Sequence, residues 1–129
     1  MNQQKLLDAH IQAKRMYHHL GEVLDLTRQL AQATDRNDSV SIHMILNMRE
    51  EPLRALAEAR DALRQQFEDA GPEEDSLRLR ALFNGAPAEN ETEQGLVQQI
   101  AANTRLLQQI RQLDEPLNRK LTREKTIYD

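Results

Sequence analysis

Histidine is the side chain in this sequence with the widest chemical range, and four of them stand at positions 10, 18, 19 and 43. The adjacent pair His18-His19 is the obvious metal candidate. Neighbouring residues on a helix point about 100° apart, so we expect these two rings not to share one ion easily. No acidic residue stands three positions before any histidine, and no H-E-x-x-H occurs, so the helical di-iron and zinc-protease motifs are absent. The sequence predicts neither a metal site nor a cofactor.

Other residue types that catalyse reactions also lack a suitable setting. Acidic pairs occur at Glu50-Glu51, Glu73-Glu74 and Asp114-Glu115, each beside a proline or at an expected helix start, where they complement the helix dipole. The four glycines are scattered, so no phosphate-binding loop is present, and there is no cysteine for a disulfide, a thiolate or a nucleophile. We therefore expect a protein that is not an enzyme.

Composition favours a single helical domain over residues 1–129. The chain is 39% hydrophobic and 29% charged, and it has two Phe, two Tyr and no Trp. Leu, Ile, Ala and Met must fill the core, which suits helices packed on helices. The net charge of −4 gives no general attraction to nucleic acid or to an anionic membrane. No run approaches 18 apolar residues and the N-terminus has no signal-like apolar core, so we expect a cytoplasmic protein without membrane insertion.

The apolar spacing predicts an all-α fold: an antiparallel, coiled-coil-like bundle of three long helices and one short helix. The long helices are expected at about 3–34, 39–70 and 90–128, and the short helix at about 73–84. Apolar residues recur every three or four positions in each. Asp38 or Ser39 is expected to cap the second helix, and Asn90 the last. Pro52 and Pro116 should kink or break their helices near one level of the bundle, close to Gly21.

Two helices carry more apolar residues than one buried seam requires. The second helix has five between Ile42 and Met48, and the last has adjacent pairs such as Leu106-Leu107. A surplus of this kind can form a dimer interface or a groove for a partner helix. The residues predicted to bind such a partner are Met44, Met48, Leu106, Leu113, Leu117 and Tyr128.

Several short motifs resemble flagellar type III export chaperones of the FlgN and FliT type. One is an Asp that opens the second helix, with an Arg about ten residues later, here Asp38 and Arg49. Others are Leu53-Arg54-Ala55-Leu56, Asn103-Thr104-Arg105-Leu106-Leu107 and a Tyr near the end of the last helix, here Tyr128. Pro52 and Pro116 depart from the family's pattern.

The resemblance implies a small cytoplasmic chaperone without ATP or metal. Such a protein binds helical terminal segments of hook-associated or filament-cap subunits and delivers them to the export gate. By analogy, Tyr128 would match the tyrosine that contacts the gate. The alternative is a structural coiled-coil protein that dimerises through its apolar seams and has no client. The sequence leaves the client and the oligomeric state open.

Overall fold

A computed structural model describes residues 2–69, 71 and 73–128, with side chains as far as Leu121. It contains four helices, α1 (Gln3–Asp35), α2 (Ser39–Glu68), α3 (Glu73–Phe83) and α4 (Glu91–Tyr128). These residues contain no strand, so the prediction of an all-α chain is confirmed for this part of the sequence. None of the described helices is both long enough and apolar enough to cross a lipid bilayer.

The helix ends follow local side-chain chemistry. Asp38 caps α2, because its carboxylate accepts hydrogen bonds from the Ser41 backbone N–H at 3.1 Å and the Ser41 hydroxyl at 2.6 Å. Both hydrogen bonds lower the pKa of Asp38, and the bond from the Ser41 hydroxyl contributes most. At the end of α3, Gly85 adopts a φ of 101°, and the amide of Ala86 donates to the Ala81 carbonyl at 2.9 Å. This left-handed turn is the usual glycine-dependent way to end a helix.

Helix α1 is the central element of the fold, because both α2 and α4 pack along it. It supplies residues to all three clusters of the core. Leu6, Ala9 and Ala13 pack near its start, Leu20, Val23 and Leu24 in its middle, and Leu30 and Ala33 near its end. Along the spacing of three and four that runs from Leu6 to Thr34, every α1 position except the half-buried Met16 is buried, so this spacing identifies the packed face correctly.

Buried threonines in this seam are satisfied within the helix. The Thr27 hydroxyl donates to the Val23 carbonyl at 2.6 Å, and the Thr34 hydroxyl donates to the Leu30 carbonyl at 2.7 Å. Each polar group is therefore paired although its side chain is fully buried.

Contacts of α4 along α1 show that these two helices run in the same direction. Leu96 packs with the start of α1, Ile110 with its middle and Leu117 with its end. Lys120 lies 3.7 Å from Asp35 at that end. Because α2 returns from α1 through a tight turn at residues 36–38, it runs antiparallel to both.

Both helices with internal prolines continue through them. Pro52 lies inside α2 and Pro116 inside α4, so neither proline splits its helix. An ion pair between Arg49 and Asp114 joins the two helices nearby. Counting from this pair puts the prolines within about 8 Å of each other along the helix axis, near one level rather than at opposite ends.

Helix α3 closes the end of the molecule where α1 begins. Leu79 and Leu82 are buried in the cluster around Leu6 and Leu96. The Ser76 hydroxyl donates to the Phe67 carbonyl at 2.6 Å and so ties α3 to α2.

Candidate partner-binding groove

A groove lies between α2 and α4, because both helices pack on α1 but approach each other much less closely. Its volume is about 530 Å³. The floor is Met16 and Leu20 of α1, and Phe83 of α3 closes one end. The α2 wall consists of Leu53, Leu56, Ala57 and Arg60, and the α4 wall of Ile100, Asn103, Thr104, Leu107 and Arg111. We call this surface the α2–α4 groove.

Helical spacing explains how the walls form. Leu53, Leu56 and Arg60 are separated by three and four positions and lie along one face of α2, while Ile100 and Leu107 are two turns apart on α4. Leu53 keeps 42% and Leu107 keeps 36% of its surface exposed. Two large aliphatic side chains on opposite walls are therefore partly open to solvent at the groove.

The ionisable groups of the groove have one sign. Of the described residues that line it, only Arg60 and Arg111 are charged at neutral pH, and both are exposed. They lie on opposite walls, one on α2 and one on α4. The groove therefore combines an apolar interior with a positively charged rim, and it favours a ligand that is apolar on one face and acidic at its edges.

Two polar interactions hold the walls in place. Nη2 of Arg49 donates to both carboxylate oxygens of Asp114, at 3.2 and 3.1 Å, and links α2 directly to α4. The amide nitrogen of Asn103 donates to the carbonyl of Ala13 at 2.9 Å and fixes α4 against α1. A polar residue in an apolar seam can set the register of two helices, and the hydrogen bond of Asn103 suits that role.

The two methionines predicted to bind a partner lie outside the groove. Met44 is 56% and Met48 is 51% exposed, so both are accessible. Met48 lines a separate hollow between α1 and α2 together with His19 and Pro52.

The α4 residues predicted to bind a partner are less accessible than expected. Leu106 and Leu113 are half-buried against the middle core cluster. Leu117 is only 6% exposed and packs with Leu30, Ile42 and Ile45, so it offers little surface to a partner. Tyr128 belongs to α4, but its side chain lies outside the described part of the structure.

Sequence analysis missed Leu53 and Leu107 as exposed residues because both fit the predicted seams. Their spacing places them correctly on the inner faces of α2 and α4. It does not reveal that these two faces stay apart. The signal that could have identified them is the polar and charged residues interleaved with the apolar positions, namely Arg49 and Arg60 on α2 and Asn103 on α4.

Both adjacent histidines contact a single carboxylate. Oε1 of Glu22 lies 3.2 Å from Nε2 of His18 and 3.1 Å from Nδ1 of His19. The two rings meet edge to face with centroids 5.4 Å apart. Rotation about the side-chain bonds therefore overcomes the divergence of the two backbone positions. This cluster shares no residue with the α2–α4 groove.

Comparisons with protein-family models, with curated proteins and with solved structures find no match to this chain.

Proposed function

We propose that this protein binds an amphipathic helical segment of a partner protein in the α2–α4 groove. The observation that carries the proposal is the pair of exposed leucines, Leu53 and Leu107, on opposite walls over an apolar floor between two arginines. Binding in such a groove needs no chemical step, so the proposal assigns the protein no enzymatic activity.

The dimensions of the groove suit a short helix. From Ile100 to Arg111 the α4 wall extends about 16 Å at 1.5 Å per residue, which is about three helical turns. A helix of this length can present three apolar side chains at spacings of three and four. The half-buried Met16 on the floor adds a flexible side chain that adapts to such a surface.

The charge of the rim further restricts the kind of partner that fits the groove. Arg60 and Arg111 favour a segment with acidic residues beside its apolar stripe. These side chains are exposed, so we expect them to accelerate association and to make it depend on salt, with a smaller effect on affinity.

The resemblance to flagellar export chaperones suggests the identity of the partner. In this proposal the chain is a cytoplasmic chaperone for terminal helices of hook-associated or filament-cap subunits, and it delivers them to the export gate. The groove would cover the client's apolar face before assembly. Tyr128 would contact the gate.

Calorimetric titration with peptides from the C-terminal ends of hook-associated and filament-cap proteins tests this function. We expect one acidic, amphipathic peptide to bind per chain. The variants L53E and L107E should each weaken binding at least about tenfold, because a carboxylate replaces an apolar contact in the centre of the groove.

The matched control is L77E, which places the same substitution on α3 at a leucine that is 59% exposed and lies outside the groove. This variant should bind like the unaltered chain. Circular dichroism should show the same helical content for all three variants, since none of these leucines is buried. Equal affinities of L53E, L107E and L77E would refute the groove as the binding site.

Dimerisation is the competing function, and the same variants distinguish it. Most α1 seam residues are already buried within one chain, so the seams are not free for a second copy. A dimer that used the groove instead would dissociate in L53E and L107E during analytical ultracentrifugation. A concentration-independent monomer that binds no peptide would reject both functions.

A further inference from the structure

The geometry points to a transition-metal site at His18, His19 and Glu22, suited to Zn²⁺. These residues occupy one turn of α1, and one ligand atom from each lies within 4.8 Å of the other two. Two imidazole nitrogens and a carboxylate oxygen form a donor set that zinc commonly accepts, with water completing the coordination.

The separations between the donor atoms match zinc coordination. Ligands at about 2.0–2.1 Å from Zn²⁺ in a tetrahedron lie about 3.3 Å from one another. Oε1 of Glu22 is 3.2 Å from the His18 nitrogen and 3.1 Å from the His19 nitrogen. Two edges of the tetrahedron therefore already have the right length, and rotation of the exposed His18 side chain can shorten the third.

The electrostatic surroundings favour a cation independently of this geometry. His19 and Glu22 line a hollow of about 370 Å³ between α1 and α2, and Asp25 and Glu51 line it as well. No lysine or arginine is among its described lining residues. Three carboxylates around a hollow with no lysine or arginine in its described lining favour a negative potential, which attracts a metal ion.

When no metal is bound, a hydrogen bond joins Nδ1 of His19 to Glu22, and His18 makes a close contact with the same carboxylate. The hydrogen bond uses Nδ1 of His19 as a donor with its proton, whereas a metal needs the lone pair on that nitrogen. A neutral imidazole can supply that lone pair by carrying its single proton on the other ring nitrogen. Nitrogen donors select zinc over harder ions, so Mg²⁺ in excess should not compete.

Titration of the untagged full-length chain with Zn²⁺ at neutral pH, followed by calorimetry, tests the site. We expect one ion per chain and shifts of the His18 and His19 ring signals in NMR spectra. The variants H18A, H19A and E22Q should each weaken zinc binding at least about tenfold.

The control variant is H43A, which removes an exposed histidine of α2 that lies outside the cluster. It should bind zinc like the unaltered chain. Absence of zinc binding to the unaltered chain would overturn the inference, and so would unchanged affinity in H18A and E22Q. Peptide binding in the groove is measured separately, so failure of one proposal does not affect the other.

Discussion

Glu93 is the most constrained charged residue of the described chain, because it is buried and held by three groups. Its carboxylate accepts hydrogen bonds from Nη2 of Arg78 at 2.6 Å, from Nε of Arg78 at 3.1 Å and from the backbone N–H of Glu89 at 3.0 Å. Its own N–H donates to the Asn90 side chain at 3.0 Å. Glu93 thus joins α3, the connecting segment and the first turn of α4.

These contacts make stability depend on pH. The hydrogen bonds from Arg78, more than any other cause, lower the pKa of Glu93 in the folded chain. A lowered folded-state pKa adds stability that is present above the unfolded pKa, about 4.5, and is lost as pH falls through the folded value.

Replacement of this carboxylate should therefore make the free energy of unfolding depend less on pH in the acidic range. We expect E93Q to be less stable than the unaltered chain at pH 7 and to lose less stability between pH 5 and pH 3. Urea denaturation across this range measures both. Parallel pH profiles of the two proteins would contradict the assignment.

Part of this residue-scale detail was predictable. Asn90 was expected to cap α4 from the N-x-x-E spacing, and its side chain does accept the Glu93 N–H. The spacing predicts that Glu93 bonds back to Asn90, whereas its carboxylate bonds to Glu89 and Arg78 instead. The position of Arg78 depends on how α3 folds over the end of the bundle, and no local pattern encodes that.

At the scale of elements, the two prolines share one backbone defect in different surroundings. Each removes an N–H from the middle of a helix. Pro52 is buried and lines the hollow beside His19, while Pro116 is exposed. Apolar periodicity located both helices. It could not decide whether each helix continues beyond its proline, because that depends on packing against α1, which no local pattern encodes.

Alanine substitutions should separate the backbone cost of each proline from the stability that its ring adds by packing. Proline in a helix interior costs about 3 kcal/mol relative to alanine. We expect P116A to raise the free energy of unfolding by about 1–3 kcal/mol, since its ring is exposed. P52A should gain less, because it loses two buried methylenes worth about 0.8 kcal/mol each.

Guanidinium denaturation of both variants measures the two gains. The comparison with Pro52 is the internal control, because the backbone change is the same in both. A larger gain for P52A than for P116A would contradict the difference in burial.

For the whole molecule, the arrangement of two helices on one central helix creates the α2–α4 groove. Apolar spacing in the sequence identified the faces of α1, α2 and α4 that turn inward. It could not show that α2 and α4 both pack on α1 while they stay apart from each other. Apolar spacing indicates that a face is buried but does not indicate which helix covers it. The apolar surplus of α2 predicts Met44 and Met48 as partner-binding residues, whereas Leu53 and Leu107 line the groove.

The most direct test of the account is methyl NMR during titration with an acidic amphipathic peptide from a hook-associated or filament-cap protein. The account predicts shifts of the Met16, Leu53, Ile100 and Leu107 methyl signals, which line the groove, and unchanged signals from Val40 and Leu77, which are exposed outside it. Shifts confined to Val40, Met44 and Met48, with the groove signals unchanged, would contradict it.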